Sequence, residues 1–312
     1  MNTYISLNKR LDTKVILETD LCLDVDDVGA IAILCDYVKT LGIKLCGISI
    51  NVNGPYEAGA ADALLSWFDL PPVPICVWDG EIPPCGNESR YLKYLFDSKD
   101  ENRYASLNVM EPVEFYRQIL SDADDQSVEI ISIGFFCNLD KAFRHMPDLF
   151  ARKVRSVVAM AGSFRERVDY PEFNIREMPN EARQFINAYP GELYFIGFET
   201  GDRVITDLSD WNPDTANLIY ESYRLFTNGS LCRPSWDPVA VDFAVNGTNE
   251  RYGLSESGKV TVLESSVCDF QPKKSGKHYY VLFHQTHEEI GAFISGQLKE
   301  IAHDRQKSPE QE

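Results

Sequence analysis

Five carboxylates fall within ten residues in the segment Glu18-Thr19-Asp20-Leu21-Cys22-Leu23-Asp24-Val25-Asp26-Asp27. Like charges at that density repel one another unless something neutralises them. A helix N-terminus does so in part, and Asp26 and Asp27 stand where the next apolar periodicity begins. Capping therefore accounts for those two, but not for Asp20 and Asp24, which follow an apolar run directly. A divalent cation accounts for all of them. Ca²⁺ takes roughly 6–8 oxygen ligands, and oxygen donors with only Cys22 nearby favour Ca²⁺ or Mg²⁺ over Zn²⁺.

Two other readings of the cluster fare worse. The spacing does not fit an EF-hand, because the glycine at the sixth loop position is missing. Asp24-Val25-Asp26 resembles the nucleophile motif of haloacid-dehalogenase phosphatases. That motif is short, however, and here it would stand several residues past the strand end.

Further polar residues stand at the ends of apolar runs. Ile133-Gly134-Phe135-Phe136-Cys137-Asn138-Leu139 carries a glycine that lets a neighbouring carbonyl turn toward a ligand. Met160-Ala161-Gly162 is similar, and Glu172-Phe173-Asn174-Ile175 places an acid and an amide two residues apart, as sugar hydroxyls require. Singly, such residues are more often turn or cap residues. In Arg233-Pro234-Ser235-Trp236-Asp237-Pro238, Asp237 reads equally well as a helix N-cap with Pro238 at N1 or as a site residue beside an aromatic ring that can stack on a base. The five histidines, at 145, 278, 284, 287 and 303, form no metal spacing and no nucleophile triad.

The elements that must position these residues alternate. Lys14–Leu17 is a short strand leading into the acidic cluster. The periodicity of Ile31, Leu34, Val38 and Leu41 predicts a helix over 28–41, stopped at Gly42. A strand over 44–50, a helix over about 56–67 and a strand over 73–77 follow. Helix 114–120 and strands 128–133, 155–160 and 193–198 repeat the theme. Continuous apolar strands between helices predict an α/β fold, an open, mostly parallel sheet with helices on both faces. Ligands of such a sheet bind at its carboxyl edge. Lys259–Leu263 and Tyr279–Phe283 read as an antiparallel pair in a small β-rich C-terminal appendage, followed by a helix from His287 to about Ile301. Residues 1–312 are read as a single domain, with 303–312 as a flexible tail.

Composition narrows the function classes. Of 312 residues, 44% are hydrophobic and 25% charged, as in a globular protein with a substantial core. The net charge of −18 repels phosphate backbones, which argues against a nucleic acid polymer as partner. The eight cysteines are scattered without a C-x-x-C, as expected of unpaired thiols in a reducing compartment. Met1–Lys14 is polar and does not read as a signal segment, and no run approaches a membrane span. A cytoplasmic protein is expected.

Taken in order, these segments resemble the nucleoside hydrolase family (inosine-uridine-preferring hydrolases and their relatives). The family's D-x-D-x-x-x-D-D run corresponds to Glu18-Thr19-Asp20 and Asp26-Asp27, with Glu for the first Asp and two extra residues before the aspartate pair. Ile133-Gly134 with Asn138-Leu139 is similar to its G-P-L-T-N-L element, Met160-Ala161-Gly162 to its M-G-G, Glu172–Ile175 to its E-F-N-I and Trp236-Asp237 to its [HW]-D. The match runs from residue 18 to 240, and no single motif in it is as specific as the five in order. The resemblance implies a Ca²⁺-dependent N-glycosyl hydrolase holding one Ca²⁺ per chain and splitting a ribonucleoside into base and ribose. It implies Asp20, Asp26, Asp27 and Asp237 as carboxylate ligands, with the carbonyl of Ile133 and with Asp24 an alternative beside Asp27. It further implies Asp20 as the general base, and Met160, Glu172, Asn174 and Asn51 or Asn53 as ribose contacts.

The chain also departs from the family. The additional ribose-binding Asn expected before E-F-N-I has no counterpart over 165–170. Trp236 stands where pyrimidine-accepting members carry a His, so a purine riboside is the expected substrate and base activation rests on stacking. The partner is then a small nucleoside, with no membrane, and a homo-oligomer is compatible with it. Two alternative functions stand beside this one: a ribose- or nucleoside-binding sensor of the same fold that lacks turnover, motivated by Glu18 and the missing Asn, and the dehalogenase-type phosphatase.

Overall fold

The computed structural model describes residues 13–81, 90–211 and 217–307. The first half of the chain runs β1 (Lys14–Thr19), α1 (Asp26–Leu41), β2 (Lys44–Ile50), α2 (Glu57–Trp67), β3 (Ile75–Val77), α3 (Arg90–Asp97), α4 (Glu101–Ala105), β4 (Val109–Met110) and α5 (Pro112–Ser121). It continues with β5 (Val128–Ser132), α6 (Cys137–His145), α7 (Pro147–Lys153), β6 (Val154–Met160), α8 (Phe173–Arg176), α9 (Pro179–Ala188), β7 (Glu192–Ile196) and α10 (Phe198–Gly201). The remainder comprises β8 (Ile205–Asp207), α11 (Leu218–Phe226), β9 (Cys232–Pro234), α12 (Trp236–Asn246), β10 (Tyr252–Leu254), β11 (Gly258–Val262), β12 (Cys268–Pro272), β13 (His278–Phe283) and α13 (His287–Lys307).

The main sheet has the order β12-β11-β13-β7-β6-β5-β1-β2-β3-β4, and the seven strands β1 to β7 pair parallel throughout. Alternate side chains of each strand enter different cores. Val15 and Leu17 of β1 and Ile131 of β5 pack on the side of α1, α2 and α12, whereas Ile16 and Ile130 pack on the side of α5 and α9. Helices thus cover both faces, and the strands carry the near-continuous apolar runs that such burial demands.

Topology explains where a site can form. From β1 the chain moves outward through β2, β3 and β4, then returns to place β5 on the other side of β1. The crossovers on the two flanks diverge there, opening a crevice beyond the carboxyl ends of β1 and β5. Asp20 follows β1 and Ile133 follows β5, and the amide of Ile133 donates to the carbonyl of Glu18 at 2.8 Å. The acidic cluster therefore stands at the switch point of the sheet.

The expected antiparallel pair of β11 and β13 is present but short, and both strands pair more fully elsewhere. β11 pairs antiparallel along its length with β12, and meets β13 only at Gly258 and His278. β13 instead lies parallel beside β7 and pairs antiparallel with β10. The appendage is thus a continuation of the main sheet, because β13 adds to it in parallel register beside β7. β7 also stops at Ile196, two residues short of expectation, where Gly197 caps α10. The helix expected to about Ile301 extends to Lys307, and 308–312 lie outside the described residues.

His278 provides a stability test. It is 2% exposed and its Nδ1 accepts the amide of Val260 at 2.9 Å. Burial, with Lys259 nearby, pushes its pKa from 6.5 down to about 3. The unfolded chain then binds the extra proton between those values, so the contribution is present above pH 6.5 and is lost as pH falls, by about 1.4 kcal/mol per unit. In urea titrations from pH 7 to pH 4, His278→Asn should flatten the acid-side loss relative to the wild type. Parallel curves would contradict it.

Candidate active site

A cavity of about 280 Å³ opens at the switch point. Its floor is acidic: Asp26, Asp27 and Asp237 each place a carboxylate oxygen within 4.8 Å of the others, and all three are buried. Asp20, 5% exposed, lines the same cavity with Ile133.

Two helices deliver these groups. Asp26 and Asp27 occupy the first turn of α1 and Asp237 the first turn of α12, so two positive helix ends converge on the carboxylates. Neither helix has a side-chain cap from its own N-cap residue, Val25 or Ser235. Asp26 supplies one across the interface instead: its Oδ2 accepts the amides of Trp236 and Asp237 at 3.0 and 3.1 Å. Asp237 is therefore not an N-cap, and Pro238 stands further into α12 than an N1 proline.

Even two helix ends leave the cluster undercompensated. The pKa values of Asp26, Asp27 and Asp237 are all raised well above the ordinary value, first by burial and then by neighbouring aspartates. Asp20 is the strongest like charge acting on Asp27. Asp27 accepts the Thr19 hydroxyl at Oδ1, while its buried Oδ2 has no hydrogen-bond partner. A buried carboxylate oxygen without a donor is costly. A hard cation among four carboxylates and a backbone carbonyl fits this donor set.

Asp24 stands apart from the floor. Arg233 holds it through Nε, at 2.9 and 3.0 Å from its two oxygens, and through Nη2. The leading aspartate of the phosphatase-like pair is thus occupied by an arginine. Glu18 is fully buried beneath the floor, bonded to Ser49 at 2.8 Å, to Tyr116 and to Asn51, and burial pushes its pKa up to about 8. An acid in place of the family's first Asp is accommodated as a member of this network.

Met160, Glu172 and Asn174 line the same cavity. Glu172 accepts the amides of Asn174 at 2.9 Å and Gly162 at 3.2 Å, and burial pushes its pKa up to about 7. The Asn174 amide donates to the carbonyl of Met160 at 3.0 Å. Trp236 donates its indole N–H to the carbonyl of Phe198 at 2.8 Å, and the two rings lie 5.6 Å apart. Phe198 lines the cavity, as do Phe173, Leu23 and Arg233. Sequence reasoning assigns none of these four to the site, although Phe173 lies inside E-F-N-I and Arg233 stands in the segment that carries Asp237.

Asn51 and Asn53 are not brought to the cavity. Asn51 is fully buried and donates to Glu18, while Asn53 is exposed and donates to the carbonyl of Gly80 at 2.6 Å. Neither is among the residues that line the cavity.

Cys35, Cys46, Cys76, Cys137, Cys232 and Cys268 are free thiols. No helix among the described residues is long and apolar enough to cross a membrane.

No protein-family model and no curated protein matches the sequence. Solved structures do match. An inosine-guanosine nucleoside hydrolase superposes with a TM-score of 0.71 at 16% identity, over 93% of this chain and 99% of that one. The inosine-uridine-preferring nucleoside hydrolase of Bacillus anthracis gives 0.67 at 14% identity, over 93% and 99%. The type III effector XopQ, solved in complex with adenosine diphosphate ribose, gives 0.65 at 13% identity, over 94% of each chain. The chain has the nucleoside hydrolase-like fold.

Proposed function

We propose that this protein is a Ca²⁺-dependent hydrolase of the N-glycosidic bond of a purine ribonucleoside or a related N-riboside. The observation that carries the reading is the unpartnered, buried Oδ2 of Asp27, set among Asp20, Asp26 and Asp237 in a cavity that Glu172 and Asn174 also line. Asp26, Asp27, Asp237, Asp20 and the Ile133 carbonyl would hold the cation. When bound, it would supply charge neutralisation and lower the pKa of an attacking water.

The chain's own residues do the rest. Asp20 takes a proton from the water as its oxygen bonds to C1′ and the bond from C1′ to the base nitrogen breaks. Positive charge develops on the sugar as in other glycosyl hydrolyses, and the surrounding carboxylates favour it. Glu172 and Asn174 orient the ribose hydroxyls. Trp236, Phe198 and Phe173 offer aromatic faces for a base. No histidine lines the cavity among the described residues, so the base leaves stacked and takes its proton from solvent.

Incubation with inosine, guanosine, uridine and ADP-ribose, followed by a reducing-sugar assay with and without chelator, tests the reading. Release of ribose from purine ribosides, lost with chelator and restored by Ca²⁺, is expected. Sugar release indifferent to chelator contradicts the metal. Tight ribose or ADP-ribose binding without release from any riboside establishes the sensor instead.

A further inference from the structure

The ion pair between Asp24 and Arg233 ties together the two segments that carry the acidic floor. Asp24 lies two residues before Asp26 on the loop from β1 to α1, and Arg233 lies on β9, four residues before Asp237. Both line the cavity. The pair is built into its surroundings. Tyr91 on α3 donates its hydroxyl to the Asp24 carbonyl at 2.5 Å, and the Val25 amide donates to Asp24 Oδ1 at 2.6 Å. The guanidinium lies 5.3 Å from the Phe226 ring and 5.7 Å from the Trp236 ring. Tyr91 meets Phe226 edge-on at 5.9 Å, which closes a ring of contacts around the arginine. Side-chain exposures of 33% for Arg233 and 23% for Asp24 set the pair apart from a freely solvated surface bridge.

We infer that Arg233 is a positioning residue of the cation site: it holds Asp24 back from the ligand set that Asp26, Asp27 and Asp237 form. The inference rests on the cation reading above. Asp24 belongs to the stretch in which this chain has two extra residues, and an extra carboxylate there would otherwise compete for the cation. A carboxylate held through both oxygens by a guanidinium fork has its charge offset and its orientation fixed, which makes it a weaker ligand for a cation than a free one.

The full-length protein carrying Arg233→Gln, Asp24→Asn or both tests this through Ca²⁺ titration calorimetry and thermal unfolding in chelator. Arg233→Gln frees a carboxylate and removes a positive charge, so Ca²⁺ should bind tighter by about tenfold. Asp24→Asn leaves the guanidinium unpaired beside the cluster, and Ca²⁺ should bind weaker by a similar factor. The double variant should return to within roughly twofold of the wild type. In chelator, Arg233→Gln should unfold below the wild type because Asp24 then faces Asp26 uncompensated, and Asp24→Asn in that background should recover the loss. Weaker or unchanged Ca²⁺ binding in Arg233→Gln, or a double variant no different from Arg233→Gln, overturns the inference. If the wild type takes up no Ca²⁺, the functional reading falls, and the unfolding comparison in chelator still decides whether Arg233 restrains Asp24.

Discussion

Asp20→Asn should lower the rate of ribose release by about a thousandfold or more while leaving the fold intact. General-base removal alone costs roughly 10²–10⁴, and the same carboxylate is assigned to the cation. The substitution keeps the shape of the side chain, so the loop has no steric reason to move. It also removes one of the like charges that raise Asp27 and Asp237, which eases the cluster. Circular dichroism and the melting temperature should therefore match or exceed those of the wild type in chelator. The kinetic loss should fall on kcat more than on KM, because Glu172, Asn174 and the aromatic walls that hold the riboside are untouched. An unchanged rate would remove Asp20 from the mechanism, and a collapsed fold would make its role structural.

The acidic cluster is legible in the amino-acid sequence because charge density is a local property of the chain, and five carboxylates in ten residues require compensation wherever they fold. The central strands are legible for a similar reason. A strand covered on both faces needs an unbroken apolar run, and VEIIS and RSVVAM have no other use. What stays hidden is decided by distant partners. Nothing in the loop itself distinguishes Asp24 from Asp26. Their fates part because Arg233, 209 residues away, binds one, while the amides of Trp236 and Asp237 bind the other. Asp237 resembles a cap because caps are judged from neighbours, whereas the actual acceptor for α12 comes from α1. Pairing of the last strands is hidden for the same reason. The apolar run of β13 marks a strand but does not say that β7 and β10 are its neighbours.

The same cluster sets function against stability, and Asp27→Asn should expose the conflict. Asp27 is fully buried, and nothing donates to its Oδ2. The Thr19 hydroxyl, its one neutral donor, bonds Oδ1, which the Oδ1 of an asparagine can replace. An amide at Oδ2 would donate toward Asp20, Asp26 or Asp237 where the carboxylate repels them. Without a cation, the substitution therefore removes a buried like charge and adds a donor, a change worth about 1–3 kcal/mol. In chelator at neutral pH the variant should melt above the wild type by roughly 2–4 °C per kcal/mol gained. Calcium should reverse the order. Occupancy at a hundred times the dissociation constant adds about 2.7 kcal/mol to a protein that binds the ion when folded. The wild type should gain this, and Asp27→Asn should not. Differential scanning calorimetry of both proteins, with chelator and with millimolar Ca²⁺, reads all four values. A variant that melts below the wild type in chelator would mean that Asp27 is compensated by the fold alone. A variant whose melting still rises with Ca²⁺ would place the cation elsewhere. Either result would leave the unpartnered oxygen without the role assigned to it. The expected crossing of the two proteins would make Asp27 a residue whose cost in the empty protein is recovered only when the ion is bound.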